Sequence, residues 1–325
     1  MGSVKKKTTY IWMGTIVALS VVLFAVIYFF NLQDNAIKVA SKVDAGGPPT
    51  LSYYIQGDMN DPLEKPMDVT KVGQYVYVTD TNHKQVQAFD TSGTPIFKFG
   101  KEGSDKGQFK FPYGIAGDKD GNIYVADLYI GKISIFTSKG KFIKYFEVAN
   151  KKDALKGPGG LRIYNNKLYV TDIPKNKVNV FDLKGEKLLE INTATGKKDA
   201  LNAPNAVTVD DDNNIYVSDT GNQRLVVYDQ NGKYKRVING SADGKGSSKF
   251  VNPRGIGVQA NGTLLMVDNM THYLYGYDKE GKQVFQIGGI GSEKEQFYLP
   301  NGLFVDDKGE VFITDTVNAR VGLYY

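Results

Sequence analysis

Six times along the chain the same cassette returns: a proline, a short apolar strand, a turn of Gly, Asn or Asp, a second strand ending in aspartate, and a third strand about six residues on. The leading prolines are Pro66, Pro112, Pro158, Pro204, Pro253 and Pro300, an interval of 46 to 49 residues. A four-stranded unit of that length cannot bury both faces of its sheet alone, so the copies must stack around an axis. The period therefore predicts an all-β fold, a six-bladed β-propeller over residues 51–325.

Blade two shows the unit in full, with strand A after Phe111-Pro112, strand B at Ile123 to Asp127, strand C at Lys132 to Phe136 and strand D at Phe142 to Val148. The B strands alternate and are rich in β-branched and aromatic residues, as in Tyr75 to Thr79, Ile215 to Ser218 and Val311 to Thr314, a composition that suits a pleated, packed surface. Ser92-Gly93, Lys139-Gly140, Lys184-Gly185, Asn231-Gly232 and Glu280-Gly281 supply tight turns between C and D. The sixth cassette runs out of chain after strand C, at Tyr325. Leu51 to Gly57 resembles the other D strands and lies in phase ahead of Pro66. The segment 51–57 is thus expected to close the ring against the C-terminal strand and remove two open sheet edges.

Ahead of the repeats, Lys5, Lys6 and Lys7 precede an uncharged run from Ile11 to Phe30, long enough to cross a bilayer. Tyr10, Trp12 and Tyr28 stand at its ends, where amphipathic rings favour the interfaces. The expected organisation is a cytoplasmic basic tail (1–10), a transmembrane signal-anchor helix (11–30), a flexible linker (31–50) ending in Gly46-Gly47-Pro48-Pro49, and a propeller on the extracytoplasmic side of the plasma membrane. A cleaved signal peptide, with Val43 and Ala45 near the cut, is the alternative. With no cysteine, disulfides and a lipid-modified cysteine are both ruled out. Setting the three tail lysines aside leaves 37 basic against 35 acidic residues, a balance that points to no nucleic-acid partner.

Gly100 to Phe109 ahead of Pro112, Gly288 to Phe297 ahead of Pro300, Asp219-Thr-Gly-Asn-Gln-Arg and Asp315-Thr-Val-Asn-Ala-Arg carry a family likeness. Through them the chain resembles the NHL-repeat proteins over residues 51 to 325. The resemblance implies the propeller fold; for function it implies only a range, from scaffolds and sensors to ligand binders and a few enzymes.

The six cassettes also form an internal alignment. Positions repeated in every blade report structure, and Asp80, Asp127, Asp172, Asp219, Asp268 and Asp315 at the ends of the B strands are expected to cap the B-to-C turns through backbone N–H groups. Positions that break the symmetry are candidates for function. After the prolines stand Met67, Tyr113, Gly159, Asn205, Arg254 and Asn301, and Asp68 replaces a small residue one place on. Asp68, Tyr113, Asn205, Arg254 and Asn301 are expected to ring the channel mouth as a ligand-binding site, in which Arg254, Asn205, Asn301 and Tyr113 offer donors to a carboxylate, sugar or peptide terminus; the alternative is that these side chains only hydrate the channel.

Likeness to gluconolactonase-type propellers, in Leu299-Pro-Asn-Gly, implies a divalent metal held by carboxylate and Asn oxygens. Gly159 and Arg254 at ring positions argue against it, so neither metal nor other cofactor is expected. NHL-type lyases use several histidines on zinc; His83 and His272 stand in nonadjacent blades and fall short of three ligands. No Ser/His/Asp set stands out, and no catalytic residue is expected. Lys132, Lys177, Arg224 and Arg320, five residues after the strand-B aspartates, make either an anion-binding ring or stems along strand edges with solvated heads.

The function expected from sequence is a membrane-anchored, non-enzymatic interaction module or scaffold with a protein partner at the membrane or cell surface. The alternatives are a small-ligand or glycan sensor and a divalent-cation-dependent lactonase- or lyase-like enzyme.

Overall fold

A computed structural model describes residues 47–196, 199–241 and 246–325. The transmembrane helix predicted at 11–30, its basic tail and residues 31–46 of the linker lie outside the described residues. Among the described residues no helix is long and apolar enough to cross a membrane.

The six cassettes fold as six four-stranded antiparallel sheets. Their innermost strands are Pro66–Val72, Pro112–Gly117, Pro158–Tyr164, Pro204–Val209, Pro253–Val258 and Pro300–Val305. Each packs against the innermost strands of both neighbouring blades, so the six surround one axis. Close approach there requires the glycines of the Pro-X-Gly motifs: a Cβ on Gly114 would sit 2.1 Å from the Gly159 carbonyl oxygen, and one on Gly255 2.4 Å from the Leu303 nitrogen. Gly93 and Gly281 in the C-to-D turns have φ of 86° and 88°, the left-handed conformation that a side chain disfavours.

Blade six takes its outer strand from the start of the described residues. Leu51–Ile55 pairs antiparallel with Arg320–Tyr324, Leu51 opposite Tyr324 and Ile55 opposite Val321. Thr50 and Tyr325 extend the pairing with backbone hydrogen bonds of 2.7 and 3.0 Å. Leu51 therefore enters the disc on the face formed by the A-to-B turns.

The core consists of six apolar wedges, one between each pair of adjacent blades. Between blades six and one, for example, Ile55, Leu63, Val76, Phe89, Phe312 and Val321 are all buried together. Strand periodicity explains this: alternate residues of each sheet face opposite neighbours, so both faces must be apolar.

Of the strand-B aspartates only Asp127 and Asp268 cap the following turn through backbone N–H groups, while Asp172 and Asp219 make no such cap; all six share another role. Each accepts from backbone N–H groups of the segment just before its own blade's leading proline: Glu64 to Asp80, Lys110 and Phe111 to Asp127, Lys156 and Gly157 to Asp172, Asn202 to Asp219, Val251 and Asn252 to Asp268, Tyr298 to Asp315. Asp127 and Asp268 also hold the B-to-C turn, through Tyr129, Ile130, Met270 and Thr271. They are structural clamps that set where strand A begins.

The basic residues five places on form no anion ring, and three of the four are paired while Lys132 stays exposed. Arg224 and Arg320 pair with Asp219 and Asp315 at 2.7 and 2.8 Å. Lys177 pairs with Glu190 at 2.8 Å, and Lys132 lies 4.3 Å from the centroid of the Tyr145 ring. Arg224, Arg320 and Lys177 thus spend their charge on neighbouring carboxylates.

Candidate functional site

The axis carries the site. At its Pro-X-Gly end, Tyr113 of blade two and Arg254 of blade five, on opposite sides of a ring of six, meet at 3.2 Å through Arg254 Nη1 and the tyrosine hydroxyl. The same hydroxyl donates to Asn205 Oδ1. Asn301 Nδ2 donates to the Met67 carbonyl at 2.7 Å. Tyr113, Asn205 and Asn301 are buried. The residues predicted to ring an open mouth thus do converge, but three of them build a bar across the axis, held by the two hydrogen bonds of the Tyr113 hydroxyl.

Below the bar lies a cavity of about 40 Å³ lined by Asp68, Tyr113, Arg162, Asn205 and Asn301. A single water needs roughly 10–15 Å³, so the space suits a few waters or one small functional group. Asp68 Oδ1 accepts from Val69 N at 2.9 Å and Oδ2 from Ile115 N at 3.0 Å. Removal from bulk solvent nevertheless dominates, and pushes the carboxyl up to about 7; the two N–H donors and the Arg162 charge pull the other way.

Arg162 is the group that sequence reasoning missed. Its guanidinium lies 5.0 Å from the Phe304 ring centroid and gives one long hydrogen bond, 3.5 Å, to the Val305 carbonyl. Its Nε is buried with no partner. Burial works to lower its affinity for a proton, and the nearby Asp68 charge opposes that. Asp68 and Arg162 make no salt bridge; they influence each other across the cavity they share. The signal was available: the fourth residues after the prolines are Thr70, Ala116, Arg162, Thr208, Gly257 and Phe304, a set with one charge.

Arg162 also stands at the junction with a wider space. Two lobes of about 450 and 660 Å³ share Arg162, Val305, Asp306 and Asp307, and are otherwise walled by the ends of the A strands and the A-to-B turns. This funnel is of small-molecule size, and it opens on the face opposite the predicted mouth. On its wall Lys71 is held by Asp306 at 2.8 Å and by Glu310.

A divalent metal does not fit. Both Asp68 oxygens hold backbone N–H groups, Asn205 Oδ1 holds Tyr113, the Asn301 amide donates, and two guanidinium groups flank the axis. Among the described residues no group of three or more His, Asp or Glu is placed to hold a metal. The two histidines lie apart: His83 pairs with Asp80 at 2.7 Å, and His272 Nδ1 accepts from Leu299 N at 3.1 Å.

Residues 201–228 match the NHL repeat family. Solved structures of similar fold include virginiamycin B lyase from Staphylococcus aureus, at 16% identity and a TM-score of 0.57 over 85% of this chain and 88% of that one. A gluconolactonase from Xanthomonas campestris gives 14% identity and a TM-score of 0.62 over 86% of this chain and 94% of that one. Hydrazine synthase from Kuenenia stuttgartiensis gives 13% and 0.54 over 83% and 98%. At these identities the likeness concerns architecture. It corrects one expectation all the same: propellers of this shape include enzymes, so the reading of the chain as non-enzymatic, drawn from missing histidine and serine constellations, does not stand.

Proposed function

We propose that the propeller binds a small molecule bearing a carboxylate or comparable oxygen group in its axial funnel, and that Asp68 exchanges a proton with it. One observation carries this reading: Arg162, half-buried with its Nε buried and unpartnered, makes no ion pair and faces a carboxyl group across a shared cavity. A buried charge without a partner is costly, and a ligand oxygen in the cavity would supply one. Asp68, held near neutrality, is suited to act as acid or base. Arg162 would stabilise negative charge on the same ligand. Together they support metal-independent lyase- or lactonase-like chemistry, or binding alone.

Calorimetry with the full chain against small carboxylates and lactones tests the reading. Arg162→Gln should weaken the tightest ligand at least tenfold, as expected for loss of a charge-assisted hydrogen bond. An unchanged affinity in that variant would remove Arg162 from the site.

The membrane anchor at 11–30 remains part of the proposal, as does a protein partner. Val251, Met270, Ile290, Tyr298 and Val317, all exposed, cluster on the Pro-X-Gly face of the adjacent blades five and six, and exposed apolar clusters mark interaction sites. Met270→Glu combined with Tyr298→Glu should abolish co-purification of a partner from solubilised membranes while leaving ligand affinity intact. Recovery of the same partner with the double variant would refute a docking role for this face.

A further inference from the structure

The funnel's wall is charged in a pattern that its floor is not. Blades two, four and six carry acidic A-to-B turns, Asp118-Lys-Asp120, Asp210-Asp-Asp212 and Asp306-Asp307, whereas the turns of blades one, three and five read Gly73-Gln74, Asn165-Asn166 and Ala260-Asn261. The first aspartate of each acidic turn is accounted for by turn structure. Asp118 accepts from Asp120 N and Asn122 N, Asp210 from Asn214 N, and Asp306 from Lys308 N and Glu310 N.

Asp120, Asp211, Asp212 and Asp307 are not needed for that purpose. All four are exposed and line the two lobes. Among the described residues none of them enters an ion pair; Asp211 accepts only from the Tyr164 hydroxyl, at 3.2 Å. Of the basic residues on the same wall, Lys71 is already neutralised, leaving Lys119 and Lys279 near the rim. A simple anion would meet this rim before it reached Arg162 and be repelled. A molecule with an anionic end and a cationic remainder would be drawn in and also oriented.

From this we infer that the ligand is zwitterionic, an aminocarboxylate or the C-terminal end of a short basic peptide, with its carboxylate inward at Arg162 and its ammonium groups outward among Asp120, Asp211, Asp212 and Asp307. The inference rests on the axial site proposed above and adds the class of molecule that fits it. The combined funnel volume accommodates a few residues of extended chain.

The test uses the full chain and Lys-Lys-Gly tripeptides in calorimetry at low and moderate salt: free acid, C-terminal amide, and a version with norleucine in place of both lysines. The free acid should bind tightest. The amide, or Arg162→Gln, should lose at least tenfold. The norleucine peptide should bind about tenfold more weakly than the lysine peptide, and the difference should shrink with salt, as expected of exposed charges. Changing Asp120, Asp211, Asp212 and Asp307 together to Asn should erase the lysine preference, with only a smaller loss for the norleucine peptide, which keeps a single N-terminal ammonium. Equal binding of acid and amide would refute the carboxylate at Arg162, and with it the proposed site. A retained acid preference with no lysine preference would leave the site standing and overturn the zwitterion. Binding of propionate alone, with no peptide bound, would also overturn it, and silence from every probe would overturn both.

Discussion

Ile55→Asp should abolish the closed ring. Ile55 is fully buried in the wedge between blades six and one, on the strand that pairs with Arg320–Tyr324. The substitution removes a large apolar side chain, worth about 2–5 kcal/mol, and buries a carboxylate with no partner, which adds several kcal/mol more. Total stabilities of about 5–15 kcal/mol do not absorb such a loss. The released Arg320–Tyr324 strand would then expose a full edge, so the variant should aggregate at temperatures where the native chain is monodisperse. Ile55→Val, which keeps the apolar contact, should cost only about 0.5–1.5 kcal/mol. Thermal melting with size-exclusion chromatography distinguishes the two, and an Asp variant melting within a few degrees of the native chain would show that Leu51–Ile55 does not hold the ring.

The second large effect concerns pH. The carboxyl of Asp68 titrates near 3.8 when unfolded and about 7 when folded, with burial the leading cause. Between these values the native state holds a proton that the unfolded state has released. Stability therefore falls as pH rises from about 4 to about 7, and the full penalty applies above 7. A shift of this size corresponds to about 4 kcal/mol at most. The charged groups around Asp68 are Arg162 from blade three and, beyond the cavity, Arg254 at the Tyr113 bar.

Asp68→Asn resembles the protonated acid and should remove the slope. Glu310 and Asp315 are also pushed up, while Asp306 is held down. These groups are common to both proteins, so the difference between the two curves isolates Asp68. Denaturant unfolding at pH 5 and pH 8 should show the native chain losing more stability than the variant between the two conditions. Parallel losses would mean that Asp68 is ionised in the native state throughout.

The parts of the structure that could be read from the chain are those repeated in it. The prolines, the hairpin glycines and the strand-B aspartates recur because each blade solves the same local problem, and one blade's sequence is checked against five others. The same alignment picks out Asp68, Tyr113, Asn205, Arg254 and Asn301 as departures from symmetry. It could equally have exposed Arg162 and the acidic turns of alternate blades, had the comparison run down the whole of strand A and into the turn after it.

The periodicity of the sequence by itself determined the architecture, because strand, turn and repeat length are local and a four-stranded unit of this size has few ways to bury both faces. Which end of the axis is bridged and which end opens was decided only in three dimensions. Tyr113 and Arg254 are 141 residues apart in sequence, and nothing in either neighbourhood states that they meet across the ring. Arg162 lacks a counterion for the same kind of reason: whether a charge is paired depends on distances between blades, which periodicity does not encode. Three of the five predicted residues, Tyr113, Asn205 and Arg254, therefore bar one end of the channel, Asp68 and Asn301 line the cavity behind them, and the wider space for a ligand opens at the other end.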